Sequence, residues 1–293
     1  MRRTNLLGLA VLAGALGLGQ SRAAQDAKAD TYDLRGPAPV KGQTYLNKSQ
    51  MKVKNADLTL KAAGQTLNIK QNMTMNGEEE EKVLAVTGRQ VTKSQAKVIK
   101  DEVMTVAEFG GQTMDDTKKN ELQGEVIISE RTGEGKWKHT LVDTKPTDDQ
   151  KKELDKRLGP ESEDDLYPAE KVKVGHTWTV DAAAMKKFFG NSFTDVKGKL
   201  EQKFVKVEDH EGESCAVIES KGPIKAKMKD DDAKLDVELE LKSTTWRSLK
   251  SGIDLKVKYE GKIRMSGKQK MDGIEAGIDL AGALSGEGST KLK

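Results

Sequence analysis

Lys234-Leu-Asp-Val-Glu-Leu-Glu-Leu-Lys242 is the stretch that decides the fold. Leu235, Val237, Leu239 and Leu241 alternate with Asp236, Glu238 and Glu240. Such a period of two places every apolar side chain on one face of a strand and every charge on the other. The pattern recurs at Ile253, Leu255, Val257 and Tyr259, and at Leu67, Ile69, Met73 and Met75 with Gln71 as a polar break. One wet face and one apolar face is the signature of antiparallel sheet.

Turn residues divide these runs into hairpins. Asn76-Gly77 is read as separating Leu67–Met75 from Val83–Thr87, Gly133-Glu134-Gly135 as separating 125–131 from 136–142, and His210-Glu211-Gly212 as separating 203–208 from 214–219. Gly261 is read as a further break, between Lys258–Glu260 and Ile263–Met265. Helix is expected at two places only. Thr147 to Leu158 has a capping residue, leading acids, trailing bases and a Gly159-Pro160 stop, and a shorter helix is expected from Asp181 to Phe189. Aromatic residues make up 4% of the chain and charged residues 33%, so the core must be thin and built from Val, Leu, Ile and Met. The expected fold class is therefore all-β, mainly antiparallel: one large curved sheet or half-barrel with one or two short helices.

Two segments point to duplicated halves. Val40-Lys-Gly-Gln-Thr-Tyr45 resembles Lys173-Val-Gly-His-Thr-Trp178, and each follows a Pro-containing loop. The expected organisation is an N-terminal β half over 24–146, a polar helix and acidic linker over 147–165, a C-terminal β half over 166–284 and a flexible tail over 285–293. Residues 1–23 read as a secretory signal. Arg2 and Arg3 precede an apolar run from Leu6 to Gly19, too short to span a bilayer, and Ser21-Arg-Ala23 fits cleavage after Ala23. Removing this segment takes away three Arg and no acid, so the formal net charge falls from +3 to zero. The basic pI of the whole chain is then no argument for nucleic-acid binding. The single Cys, Cys215, lies far from the cleavage point, which excludes a lipoprotein anchor and an internal disulfide. The expected location is the periplasm or the exterior.

The chemistry-bearing motifs are missing. There is no phosphate loop, dinucleotide fingerprint, Gly-x-Ser-x-Gly elbow or His-Glu-x-x-His. His139, His176 and His210 are isolated and lack metal-ligand spacing, so no metal and no cofactor is expected. The acidic runs Glu78–Glu81, Asp115-Asp116, Glu161–Asp165 and Asp230–Asp232 lack the calcium-loop register and read as solvated turns. Tyr45, Trp178 and Trp246 fall on expected strands and are the candidate lining of an apolar ligand site.

Pro168 to Val180, with its Val172-Lys-Val-Gly-His-Thr-Trp178 core, resembles a segment of uncharacterised exported bacterial β-sheet proteins. The layout of long alternating strands is similar to that of the lipoprotein-carrier (Lol-type) proteins, whose open half-barrels hold acyl chains. The second resemblance implies an acyl-binding inner face, and neither implies a catalytic residue. The expectation is a non-enzymatic, exported binding or carrier protein whose apolar sheet face covers a lipid-like ligand or an envelope partner. The alternative is an envelope structural or interaction protein with a closed core and no small-molecule site.

Overall fold

The computed structural model describes residues 30–133, 135–189, 192–229, 233–271 and 274–293. The segment read as a secretory signal and the acidic run Asp230–Asp232 lie outside the described residues. The chain forms one open, antiparallel, 12-stranded sheet. Strands β1 (Thr44–Ala62), β2 (Gln65–Thr87), β3 (Gln90–Phe109), β4 (Gln112–Lys119), β5 (Val126–Arg131) and β6 (Trp137–Leu141) come first. Helix α1 (Asp148–Lys156) follows, then β7 (Thr177–Asp181) and a 3₁₀ turn, Ala182–Met185, that runs into the single-turn helix α2 (Lys186–Phe189). The rest is β8 (Phe193–His210), β9 (Glu213–Lys229), β10 (Ala233–Ser248), β11 (Asp254–Met271) and β12 (Ile274–Leu292).

The order across the sheet is β6-β5-β3-β2-β1-β12-β11-β10-β9-β8-β7, with β4 paired to the outer part of β3. Two meanders therefore meet at a central seam, where β1 pairs with β12 from Tyr45↔Leu292 to Lys61↔Gly277. The segment from α1 to β7 carries the chain from one edge of the sheet to the other. The two similar segments adopt the same turn. Gly42 and Gly175 have φ of 94° and 92°, a conformation that costs glycine least. Gly42 N–H donates to Val83 O and Val83 N–H to Gln43 O; Gly175 N–H donates to Phe204 O and Phe204 N–H to His176 O.

The alternation read from the sequence sorts side chains as expected. On β10, Leu235, Val237, Leu239 and Leu241 are buried and the intervening charges are exposed. The apolar sides of all the long strands form one inner face, roofed in three places. Met185 and Phe189, with Phe193 from the start of β8, cover Met228, Leu235, Val237 and Ile263. Leu34, Tyr167 and Val172 cover Phe204, Ala216 and Ile218. Leu154 of α1 covers Val98, Leu122, Ile127 and Leu141. Helix α1 is capped as the sequence indicates: Thr147 Oγ accepts from Gln150 N–H at 3.2 Å and the Gln150 side chain accepts from Thr147 N–H at 3.0 Å.

Three local expectations differ. Asn76-Gly77 is not a turn but the middle of β2, where Gly77 lies opposite Ser49 so closely that an added Cβ would press on its hydroxyl. Gly261 is also mid-strand, because a Cβ there would collide with the Glu240 carbonyl of β10. Residues 285–292, expected as a flexible tail, continue β12 and pair with both β1 and β11. Small residues in these strands mark close approach between neighbouring chains rather than a reversal.

The two-faced character of β10 has a direct test. Leu239→Ala should cost about 2–5 kcal/mol in urea unfolding, as expected for a core truncation. Glu238→Ala, which loses only an exposed contact with Lys225, should stay within about 1 kcal/mol.

Candidate functional site

Between the inner face and the chain crossing over it lies a half-open cavity of about 530 Å³. Its floor is a row of small residues lying side by side on neighbouring strands: Gly77 (β2), Ser49 (β1), Gly288 (β12) and Val257 (β11). The next row toward the β1–β2 turn is bulky and apolar, with Met75, Met51 and, across Gly286, Tyr259. The row on the other side is polar, with Glu79, Asn47 and Thr290. The floor is therefore graded from apolar to polar along the strands. Gly288 has only the Lys48 carbonyl, at 3.7 Å, near the position of a Cβ, so a side chain there would project into the cavity.

The roof is the strap 157–167, which leaves the end of α1. It is held mainly by charges. Arg157 Nη2 meets Glu79 at 2.5 Å. Glu161 accepts from Trp137 Nε1 at 2.7 Å and lies 3.4 Å from Arg131. Gly159 lets the strap lie on Trp137, since a Cβ would run into the indole. Asp164 pairs with Arg89 at 2.7 Å, and Asp165 with Lys187 at 3.0 Å. The tightest point is Arg247, whose side chain is 3% exposed. It bonds Glu163 at 2.9 Å, Asp254 at 2.7 Å and the Leu34 carbonyl, with its guanidinium 3.7 Å from the Tyr167 ring centre. Tyr167 in turn donates its hydroxyl to Asp254 at 2.9 Å. Burial, then the Asp254 charge, holds the Glu163 carboxyl above its ordinary range.

Behind Glu79 the wall holds two groups with displaced titration. Burial, then repulsion from Glu79, pushes Glu81 up to about 7. Burial, then the Arg157 charge, pushes His139 down to about 4, and His139 Nδ1 lies 2.8 Å from Ser129 Oγ. The run Glu78–Glu81 is thus no solvated turn. Glu79 and Glu81 sit within a strand on its inner face, as the alternation from Met75 through Gly77 requires.

The aromatic candidates are not brought together. Tyr45, at the polar end of the inner face, lines an adjoining cavity of about 240 Å³ that also touches Glu163 and Arg247, and its hydroxyl donates to Gln43 at 2.9 Å. Trp178 donates Nε1 to the Leu166 carbonyl at 2.9 Å and borders a separate groove on β7–β9. Trp246 alternates with Arg247 and so faces outward, where its Nε1 meets Glu208 at 2.5 Å and its ring lies 5.8 Å from that of His210. Burial and then Glu213 push the Cys215 thiol up to about 11, which removes it as a nucleophile near neutral pH. Among the described residues no three His, Cys, Asp or Glu side chains are placed to hold a metal ion. Among the same residues no helix is long and apolar enough to cross a membrane.

No family model matches the chain, and no curated protein does. Two solved structures align with it at low similarity. One is a DUF1329 family protein from Desulfovibrio piger, 11% identical, with 86% of this chain and 85% of that chain covered and a TM-score of 0.18. The other is the outer membrane protein OprG from Pseudomonas aeruginosa, 8% identical, with 88% and 99% covered and a TM-score of 0.19. Likeness at that level carries no argument about fold or function.

The two displaced groups generate opposite pH slopes. Glu81 keeps its proton in the folded state up to about 7, whereas an ordinary Glu loses it near 4.5, so its contribution falls as pH rises through that window, by up to roughly 3 kcal/mol. His139 refuses a proton until about 4, whereas an ordinary His accepts one near 6.5, so its contribution is lost as pH falls through that window. The two contributions oppose each other across this range. In urea titrations across pH, His139→Gln should uncover a stability that falls with rising pH, and Glu81→Gln one that rises.

Proposed function

We propose that this chain is an exported, non-enzymatic binding or carrier protein that holds a hydrophobic, lipid-like ligand between its inner sheet face and the strap. The observation that supports this most is the graded cavity itself. About 530 Å³ lies under a roof of charged residues, over a floor of small residues with Val257, Phe189 and Phe193 on one side and polar groups on the other, and this is within the size range of small-molecule sites. A well-packed structural protein gains nothing from such a space, because its lining forgoes packing contacts. Beyond the cavity the inner face stays apolar and is less covered. Leu58, Met73 and Ile278 are half-buried, and Leu67, Phe109 and Met114 are exposed. A ligand longer than the cavity would find an apolar surface there.

The charged strap suits reversible coverage. The outer pairs, Asp164 with Arg89 and Asp165 with Lys187, contribute little each, Arg157–Glu79 and Arg131–Glu161 are half-buried, and Arg247 with its two carboxylates forms a buried anchor. The strap is thus tied most firmly at Glu163.

Native mass spectrometry of protein purified from a bacterial periplasm without detergent, followed by organic extraction, tests the reading. A reproducible adduct of lipid mass is expected, lost on extraction. It should also be absent from Gly288→Ile, which fills the cavity from a strand position open to a side chain. A clean apo mass, with no lipid in the extract, would favour the closed-core interaction protein instead.

A further inference from the structure

We propose that the ligand is a single-chain amphiphile with a zwitterionic head, seated with the head beneath the strap at the Glu79–Arg157 end and the chain running toward Val257, Phe189 and Phe193. This deepens the carrier reading and rests on it. The direction follows from the floor. The lining changes from Glu79, Asn47 and Thr290, through the small row with Gly288, to Val257, Phe189 and Phe193. A molecule with a polar and an apolar end fits this gradient in one orientation, since the reverse would press its head against the two phenylalanines.

The head type follows from the charges on the polar wall. Both signs line the cavity: five bases, among them Lys156, Arg157 and Lys187, and eight carboxylates, among them Glu79, Glu161 and Glu163. An anionic head alone would add a negative charge beside the carboxylates, and a cationic head alone a positive charge beside the bases. A head carrying a phosphate and an ammonium meets an opposite charge of each kind.

A third observation points to an acceptor on the ligand. Arg157 Nε is buried and has no hydrogen-bond partner among the described residues, although Nη2 of the same guanidinium is bound to Glu79. A buried donor without an acceptor is costly and rare. The same side chain lines the cavity, so a phosphate oxygen entering at this end would supply the missing acceptor. Lys156 on α1 and Lys187 on α2 also line the cavity.

The test uses the full mature chain and three hexadecyl probes below their micellar concentrations: hexadecylphosphocholine, hexadecanoate and hexadecyltrimethylammonium. Affinities are measured by isothermal titration for the wild type, Gly288→Ile and Arg157→Gln. The expected result is phosphocholine binding about tenfold or more tighter than either singly charged probe. Arg157→Gln should weaken phosphocholine by about tenfold and leave the ammonium probe within about threefold. Gly288→Ile should abolish all binding. The wild-type comparison needs no variant, so it decides the matter even if Arg157→Gln does not fold. Equal or tighter binding of hexadecanoate or of the ammonium probe, with loss in Gly288→Ile, would overturn the head-group assignment and leave the carrier reading standing. No binding of any probe would overturn both.

Discussion

An antiparallel sheet with one apolar face cannot stand open in water, and that constraint organises this molecule. The chain has few aromatic residues and little helix with which to build a second layer. It covers its inner face piecemeal instead. One side chain of α1, a patch made by Leu34, Tyr167 and Val172, and the turn ending in Phe189 each cover a few strands. The space left between the three patches is the cavity. In this sense the cavity is what remains when thin coverage meets a wide sheet, and the strap roofs part of it.

Electrostatics does at the roof what apolar packing does elsewhere. Successive residues of the strap reach different strands: Arg157 to β2, Glu161 to the β5–β6 hairpin, Glu163 to β10. A buried pair such as Arg247 with Asp254 contributes less to net stability than its short distance suggests, because desolvation offsets most of the attraction. Its clearer effect is positional. It joins the strap, the segment around Leu34 and the β10–β11 turn at one point, which fixes that part of the roof over the floor.

Most of the fold was legible because a period of two is a strong signal and most long strands carry it on a single face. The errors share one cause. Asn76-Gly77, Gly261 and the glycine-rich end of β12 were all read as punctuation, yet in a wide sheet a glycine equally marks where a neighbouring backbone comes too close for a Cβ. That misreading hid the site, since Gly77 and Gly288 are its floor and Glu79 and Glu81 its wall. Counting parity onward from Met75 would have placed both carboxylates inside. Counting onward from Leu241 would have turned Trp246 outward, since it falls in step with Lys242. Tyr45 and Trp178 were legible as equivalent positions because the two turns leading into their strands share glycines at matching places. The strap was not legible, as its partners come from strands scattered through both halves and no local pattern encodes them.

The central seam bears on how such a chain reaches its folded state. Strand β1, at 19 residues, pairs on one side with β2, its immediate successor, and on the other with β12, the last strand described. While the intervening chain is still being made, one long side of β1 presents unpaired backbone donors and acceptors. An exposed edge of that length is a template for pairing with another chain. Contacts between distant segments are also slow to form, since loop closure must precede them. The seam thus makes completion of the sheet a late event, and a chaperone that shields an extended strand would have its greatest effect on β1.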